Sequence, residues 1–151
     1  MKGLIIFALF LLEFTTAGFA QNSEESAVKE AVNHLFAGMK TGDSAVVRSA
    51  FAAGAVMQTI VNKAEKVNVR TESVNDFVKL IGMPHKEIYD ERIVFTKILI
   101  DGPLAAVWTD YKFYVGEKFS HCGVNSFQLV KGDKGWQIVY IIDTRRKDGC
   151  N

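Results

Sequence analysis

The sequence holds 151 residues, 48% hydrophobic and 23% charged, which suits one globular domain with a real core and excludes a disordered chain or a repeat array. Its 18 basic and 17 acidic residues are mixed along the chain, for a formal net charge of +1. With no basic block interleaved with aromatics, nucleic acid is not an expected partner.

The chain opens with Lys2, an apolar run from Leu4 to Leu12, and small residues at Gly18 and Ala20 ahead of Gln21. A positive start, a short apolar run and small residues before the cut describe a cleavable signal peptide over 1–20. The run is shorter than the roughly 20 residues a membrane-spanning helix needs, so no stable membrane span is expected after cleavage. The mature chain, 21–151, is expected to be a single domain, exported to the periplasm or secreted. Its cysteines, Cys122 and Cys150, would then meet oxidising conditions and are candidates for a disulfide. A straight last strand would carry Cys150 roughly 20 Å too far, whereas Gly149 offers a way for the tail to fold back, and both outcomes stay open. No Cys/His spacing suggests a metal site, and no cofactor is expected.

Across 22–40, Val28, Ala31, Val32, Leu35, Phe36 and Met39 recur at three- and four-residue intervals, which predicts an amphipathic helix ended by Thr41-Gly42-Asp43. A short helix over 44–52 follows, burying Val46, Val47 and Phe51. Two β-rich runs, 55–61 and 65–71, flank Asn62-Lys63 as a small hairpin. Helical spacing returns over 72–81 and is closed by Gly82 and Pro84. Four strands then fill 88–100, 104–115, 119–130 and 136–146. The plan is α+β, in the order α-α-β-β-α-β-β-β-β, with three N-terminal helices covering one face of a curved antiparallel sheet.

The stretch from Ser120 to Lys147 carries the chemistry. With Val130 opposite Trp136, Phe127 meets Val139 and Gly123 meets Asp143, so His121, Asn125, Phe127, Leu129, Val139, Ile141, Asp143 and Arg145 share a face. The simplest turn after Val115 sets Trp108 beside Asn125, Asp110 beside Gly123 and Lys112 beside His121. The Asp101-Gly102 turn sets Phe95 beside Trp108. A one-residue slip in either outer turn moves Trp108 and Asp110 to the opposite face.

So arranged, one face gathers the rings of Phe95, Trp108 and Phe127, with Asp110, His121, Asn125, Asp143 and Arg145 toward one end. That is a pocket wall for a small apolar or aromatic ligand. Asn125, polar in an apolar strand, is the candidate for a ligand hydrogen bond. His121 with Asp143 or Asp110 is the candidate acid/base pair. The bland alternative is a salt-bridged rim of the same groups. The other face is assigned Val94, Ile98, Val107, Tyr111, Phe113, Val124, Gln128, Ile138, Tyr140 and Ile142, more apolar than a solvated face, which predicts a homodimer through it.

The helix ending in Thr41-Gly42-Asp43, the short helix ending in Phe51, the small hairpin and the terminal meander with Gly135-Trp136-Gln137-Ile138-Val139 together resemble the nuclear transport factor 2-like (cystatin-like half-cone) superfamily. The stretch from Ser120 to Leu129 and Asp143-Thr144-Arg145-Arg146 further resemble small exported bacterial members labelled lumazine-binding proteins. The resemblance implies a half-cone fold over the mature chain and leaves function open, because the superfamily hosts enzymes and binding modules alike. In its ketosteroid isomerase branch a tyrosine and an aspartate base occupy positions that here hold Leu35 and Thr59, which disfavours that reaction. The paired histidines of scytalone dehydratase are not evident either; His34 falls on the first helix and His85 in a loop. The leading expectation is an exported small-ligand-binding or accessory protein without catalysis. Behind it stand an isomerase, dehydratase or cyclase-type enzyme using His121 with Asp143 or Asp110, and a structural homodimeric interaction module.

Overall fold

A computed structural model describes residues 3–63 and 66–150, with side chains for 21–62 and 66–150. The elements run α1 (Gly3–Thr41), α2 (Ser44–Ala50), β1 (Phe51–Lys63), β2 (Lys66–Glu72), α3 (Val74–Gly82), β3 (Tyr89–Asp101), β4 (Leu104–Val115), β5 (Lys118–Gly132) and β6 (Gly135–Thr144). This is the expected α+β order. The signal-peptide reading of 1–20 falls on residues whose side chains are outside those described.

Local chemistry sets the helix boundaries. Gly42 takes a φ of 70°, a left-handed conformation that ends α1. Asp43 then caps α2 by accepting from the backbone N–H groups of Ala45 (2.9 Å) and Val46 (3.0 Å). Ser73 does the same for α3, accepting from Asp76 N–H at 3.2 Å, so that Glu72 ends a strand instead of starting a helix. A Cβ on Gly38 would stand 2.8 Å from the Val47 side chain, so glycine is what lets α1 and α2 approach.

The strands form one open, curved six-stranded sheet in the order β2-β1-β6-β5-β4-β3. All neighbours are antiparallel except β1 and β6, which run parallel. The expectation of an antiparallel sheet therefore holds within the β1–β2 hairpin and the β3–β6 meander, and differs where they join. No turn connects β1 to β6, so nothing local fixes their relative direction.

Three bulges within the β3–β6 meander decide which of its side chains face inward. Between β4 and β5, Val115 pairs with Lys118 and Tyr114 with Phe119, as the turn predicts; Ser120 is then skipped, and Phe113 pairs with His121, Tyr111 with Gly123 and Thr109 with Asn125. That is the one-residue slip that exchanges the faces of β4. Between β3 and β4 Thr96 is skipped, which turns Ile98 inward, and between β5 and β6 Val139 is skipped. Ile138, not Val139, is therefore the buried residue there, and Asn125 meets Asp143. Of the side chains assigned to the outer face, Ile98, Val107, Tyr111, Phe113 and Ile138 point inward instead.

The core lies between α1 and the concave face of the sheet. Val28, Val32 and Phe36 of α1 pack on Val107, Phe127, Leu129 and Ile138, with the Phe36 and Phe127 rings edge to face at 6.1 Å. Glu24 ties this end down, accepting from Lys131 Nζ (2.7 Å) and Trp136 Nε1 (3.2 Å).

Candidate functional site

At the opposite end of the concave face, where α1 finishes and α3 bridges the mouth, the sheet and helices stand apart around a cavity of about 420 Å³. Its apolar walls come from Leu35, Phe36 and Met39 on α1, Phe77 and Ile81 on α3, and Met57 and Ile141 on the sheet. Tyr89, Tyr111 and Phe113 supply ring faces. Alternation along the strands brings the polar groups inward at the same end. His121, Asn125, Asp143 and Arg145 all line it, together with Glu91, Arg70 and Glu72.

The other expected site residues lie elsewhere. Phe127 is fully buried in the core beneath the cavity, and Phe95 is half-buried beside the Lys29 ammonium, 6.0 Å from its ring centre. Trp108 stands 48% exposed on the outer face, and Asp110 is exposed there too. The bulge at Ser120 is the cause. It places Thr109, Tyr111 and Phe113 where a regular β4–β5 pair would have put Trp108 and Asp110.

One network centres on a single oxygen of Asp143. Its Oδ2 accepts from Tyr111 Oη at 3.1 Å and from Arg145 Nε at 2.9 Å. The Tyr111 hydroxyl also lies 2.8 Å from the Thr144 carbonyl, so its single proton is shared between two acceptors. Burial, and then the charges of Asp143 and Glu91, push the Tyr111 phenol well above its ordinary value, so it remains a donor. Arg145 reaches on to Glu72, 4.0 Å away, and Arg70 pairs with the same carboxylate. Gly123 is the precondition of this network: a Cβ there would stand 2.7 Å from the Tyr111 ring and 1.8 Å from the Thr144 carbonyl oxygen.

Glu91 and His121 stand outside this network of ion pairs. Asn125 Nδ2 donates to Glu91 Oε1 at 2.8 Å, with Thr109 Oγ1 at 3.5 Å. Burial is the largest influence on the Glu91 carboxyl and, with the nearby Asp143 charge, outweighs the Asn125 hydrogen bond and Arg145 to push it up to about 7. Burial first, and then the charges of Arg145 and Lys147, hold His121 below its ordinary value and favour the neutral ring, while Asp143 pulls the other way. Its Nδ1 lies 3.0 Å from Ser120 Oγ, and its ring packs on Phe113 at 5.1 Å and edge-on to Tyr111 at 5.7 Å.

Comparison with known proteins gives a match to the family described as "Putative lumazine-binding" over residues 23–141. The chain belongs to this family. No curated protein matches the sequence significantly. Among solved structures it is similar to a nuclear transport factor 2-like protein of unknown function from Shewanella baltica, at 20% identity, a TM-score of 0.65, and coverage of 83% of this chain and 96% of that one. A nuclear transport factor 2-like protein with a cystatin-like fold from Novosphingobium aromaticivorans gives a TM-score of 0.70 at 11% identity, covering 89% of each chain. A conserved protein from Planctomyces limnophilus gives 0.66 at 16% identity, over 83% and 98%. At these identities the likeness speaks for the fold.

In this family member the tail also contributes to the site. β6 ends at Thr144, Cys122 and Arg146 exchange backbone hydrogen bonds of 2.9 Å, and Gly149 turns with a φ of 63°. That folds Cys150 back onto Cys122, and the two are bonded, with Cα atoms 5.9 Å apart. The bond fixes the segment that carries Arg145 over the cavity. No cluster of His, Cys, Asp and Glu suited to a metal ion occurs among the described residues. His34 bonds Ser49 on the surface, and His85 stacks on Tyr89 at 4.5 Å outside the cavity.

Sequence reasoning missed Glu91, Tyr111, Phe113, Arg70 and Glu72. Glu91 was findable, because it shares its alternation with Ile93 and Phe95. Tyr111 and Phe113 were hidden by the bulge, and Arg70 and Glu72 by a strand pairing that no local turn announces.

Proposed function

We propose that this protein binds a small, flat, largely apolar molecule in the cavity, with the polar groups at the sheet end fixing its orientation. The observation that carries this reading is the cavity itself. Its volume falls in the ordinary range of small-ligand sites, about 300–1,000 Å³, and its walls combine apolar and ring surfaces with a few convergent polar groups. Catalysis by His121 with Asp143 or Asp110 is the weaker reading. Asp143 is committed to Tyr111 and Arg145, and Asp110 lies outside.

The setting belongs to the proposal. The protein acts after export, with a mature chain starting near Gln21, as the small residues at Gly18 and Ala20 suggest. It pairs with a second copy through the outer face, where Val94, Leu99, Leu104, Trp108 and Val130 stand between 41% and 64% exposed.

The family description makes lumazine, a fluorescent bicyclic heterocycle, the first probe. Saturable one-to-one binding is expected. Asn125→Leu should weaken it by about 1–3 kcal/mol, the usual scale for an unpaired buried polar partner. The unliganded protein should lose only the modest stability that its Glu91 hydrogen bond supplies, and remain folded. A chain that ignores lumazine, and that carries no small molecule in native mass spectrometry when purified from its own host, overturns the proposal.

A further inference from the structure

One polar pair in the cavity is only half used. Asn125, 3% exposed, spends its Nδ2 on Glu91 Oε1 and, more loosely, on Thr109 Oγ1. The hydrogen bonds of the described residues leave the amide oxygen of Asn125 and the second carboxyl oxygen of Glu91 unengaged, and neither is sealed off from solvent; both residues line the cavity. The charged and titratable groups facing Glu91 are Asp143 and Arg145 beyond β5, Tyr111 on β4, His121 on β5, and Arg70 and Glu72 across the mouth. From α1 and α3 only apolar side chains face it. Both cations are already engaged, Arg145 with Asp143 and Glu72, and Arg70 with Glu72. No cation lies within ion-pair distance of Glu91 among the described residues.

A half-buried carboxyl with no cation in ion-pair contact holds its proton to higher pH, even with Arg145 opposing from a distance, and a neutral carboxylic acid donates as well as accepts. We propose that Glu91 and Asn125 together read the lactam edge of a planar heterocycle, the Glu91 acid donating to the ring carbonyl and the Asn125 oxygen accepting from the adjacent ring N–H. This rests on the small-molecule reading above and names the chemical class it implies. An anionic ligand would meet Asp143 and Glu72 as well as Glu91, and a cation would have to draw the proton from a buried acid. A lactam asks for neither. The ring face is also supplied, because Phe113 pairs with Glu91 on one side and with His121 on the other, which sets an aromatic surface between the two. Burial holds the Glu91 proton up to about pH 7, so the donor persists to near-neutral conditions and is lost above them.

The test uses the full mature protein and 2-quinolone, a fluorescent bicyclic lactam that does not itself ionise in this range, with N-methyl-2-quinolone as the partner lacking the N–H. Wild type should bind 2-quinolone about tenfold or more tightly at about pH 6 than at about pH 8.5, because only the protonated fraction is competent. The N-methyl compound should bind about tenfold more weakly at the lower pH. Glu91→Gln keeps a donor and an acceptor without the titration, so its affinity should be flat with pH and close to the low-pH wild-type value. Equal binding of both quinolones at both pH values overturns the lactam inference and leaves the pocket reading standing. A pH dependence that survives in Glu91→Gln belongs to His121 and overturns it too. If neither quinolone binds while the protein still carries a small molecule from its host, this inference alone falls; if it carries none and ignores lumazine, both fall.

Discussion

Phe127 and Asn125 are two positions apart on one strand, on the same face of the same sheet, and they live in different surroundings. Phe127 is fully buried against Phe36, in the end of the half-cone that α1 fills. Asn125 is equally enclosed by protein, yet it borders a cavity of about 420 Å³, because α1 ends at Thr41 and α3 spans the gap at a distance. The same contrast runs through β6, where buried Ile138 lies at the filled end and Asp143 at the hollow one. Alternation along a strand assigns a side chain to a face. Whether that face is filled or hollow is decided by helices far away in the sequence.

The contrast is broken most severely at the filled end. Phe127→Ala is expected to cost about 3–5 kcal/mol in urea unfolding, since the site is packed on all sides and can relax only in part. Asn125→Leu at the hollow end loses the hydrogen bond to Glu91 and should cost about 1–2 kcal/mol, clearly less than Phe127→Ala, with its main effect felt in binding. If the two substitutions cost the same stability, the division into filled and hollow ends is wrong.

A second, smaller effect comes from pH. The Glu91 carboxyl, raised from 4.5 to about 7 by folding, contributes a stability that is fully present below about pH 4.5 and is lost as pH rises through 7. The size is of the order of 2 kcal/mol after allowing for solvent in the cavity. Glu91→Gln should remove that slope. Urea melts at a series of pH values on both proteins isolate it from Asp90, whose carboxyl is held low by Arg92 and Lys40 in spite of burial and whose contribution is lost at the acid end instead. Parallel stability curves for wild type and variant would show that Glu91 ionises freely.

The order of elements, the break between the first two helices and the inward polar end of β5 and β6 were legible because each is written locally: in Gly42 and Asp43, in three- and four-residue spacing, in alternation; the Ser73 cap was not, since 72–81 reads as one helix. The bulges were not, because Thr96, Ser120 and Val139 are residues a regular strand accepts and no glycine marks them. Two register differences along β6 happen to cancel, so His121, Asn125, Asp143 and Arg145 were read onto the right face; the single one in β4 did not, and Trp108 and Asp110 changed places with Thr109, Tyr111 and Phe113. Glu91, to which the proposal gives the ligand contact, was in plain sight, but its raised affinity for a proton depends on burial in the assembled fold and on the Asp143 charge from β6.

The smallest effect on the subunit is expected on the outer face, which gained Trp108 by that slip. Trp108→Glu should change the stability of an isolated subunit by about 0.5 kcal/mol or less, as surface substitutions do. In sedimentation at micromolar concentration it should nevertheless convert the proposed dimer to a monomer. A variant that sediments like wild type removes this face from the interface.

The parallel pairing of β1 with β6 has a consequence for how the molecule comes into being. It joins residues far apart in the sequence, Phe51 with Ile138 and Met57 with Ile141, whereas β3, β4, β5 and β6 are linked by short turns. Contacts so far apart in sequence form slowly, since the intervening chain must first be ordered. The meander can zip locally, but β1 and β2 have no sheet to join until β6 has been made. The cavity is walled by both halves, and it comes into existence only at that late docking step. Until β6 has been synthesised and paired, the cavity lacks the wall that Ile141 and Asp143 supply, so the proposed binding site is a property of the finished sheet alone.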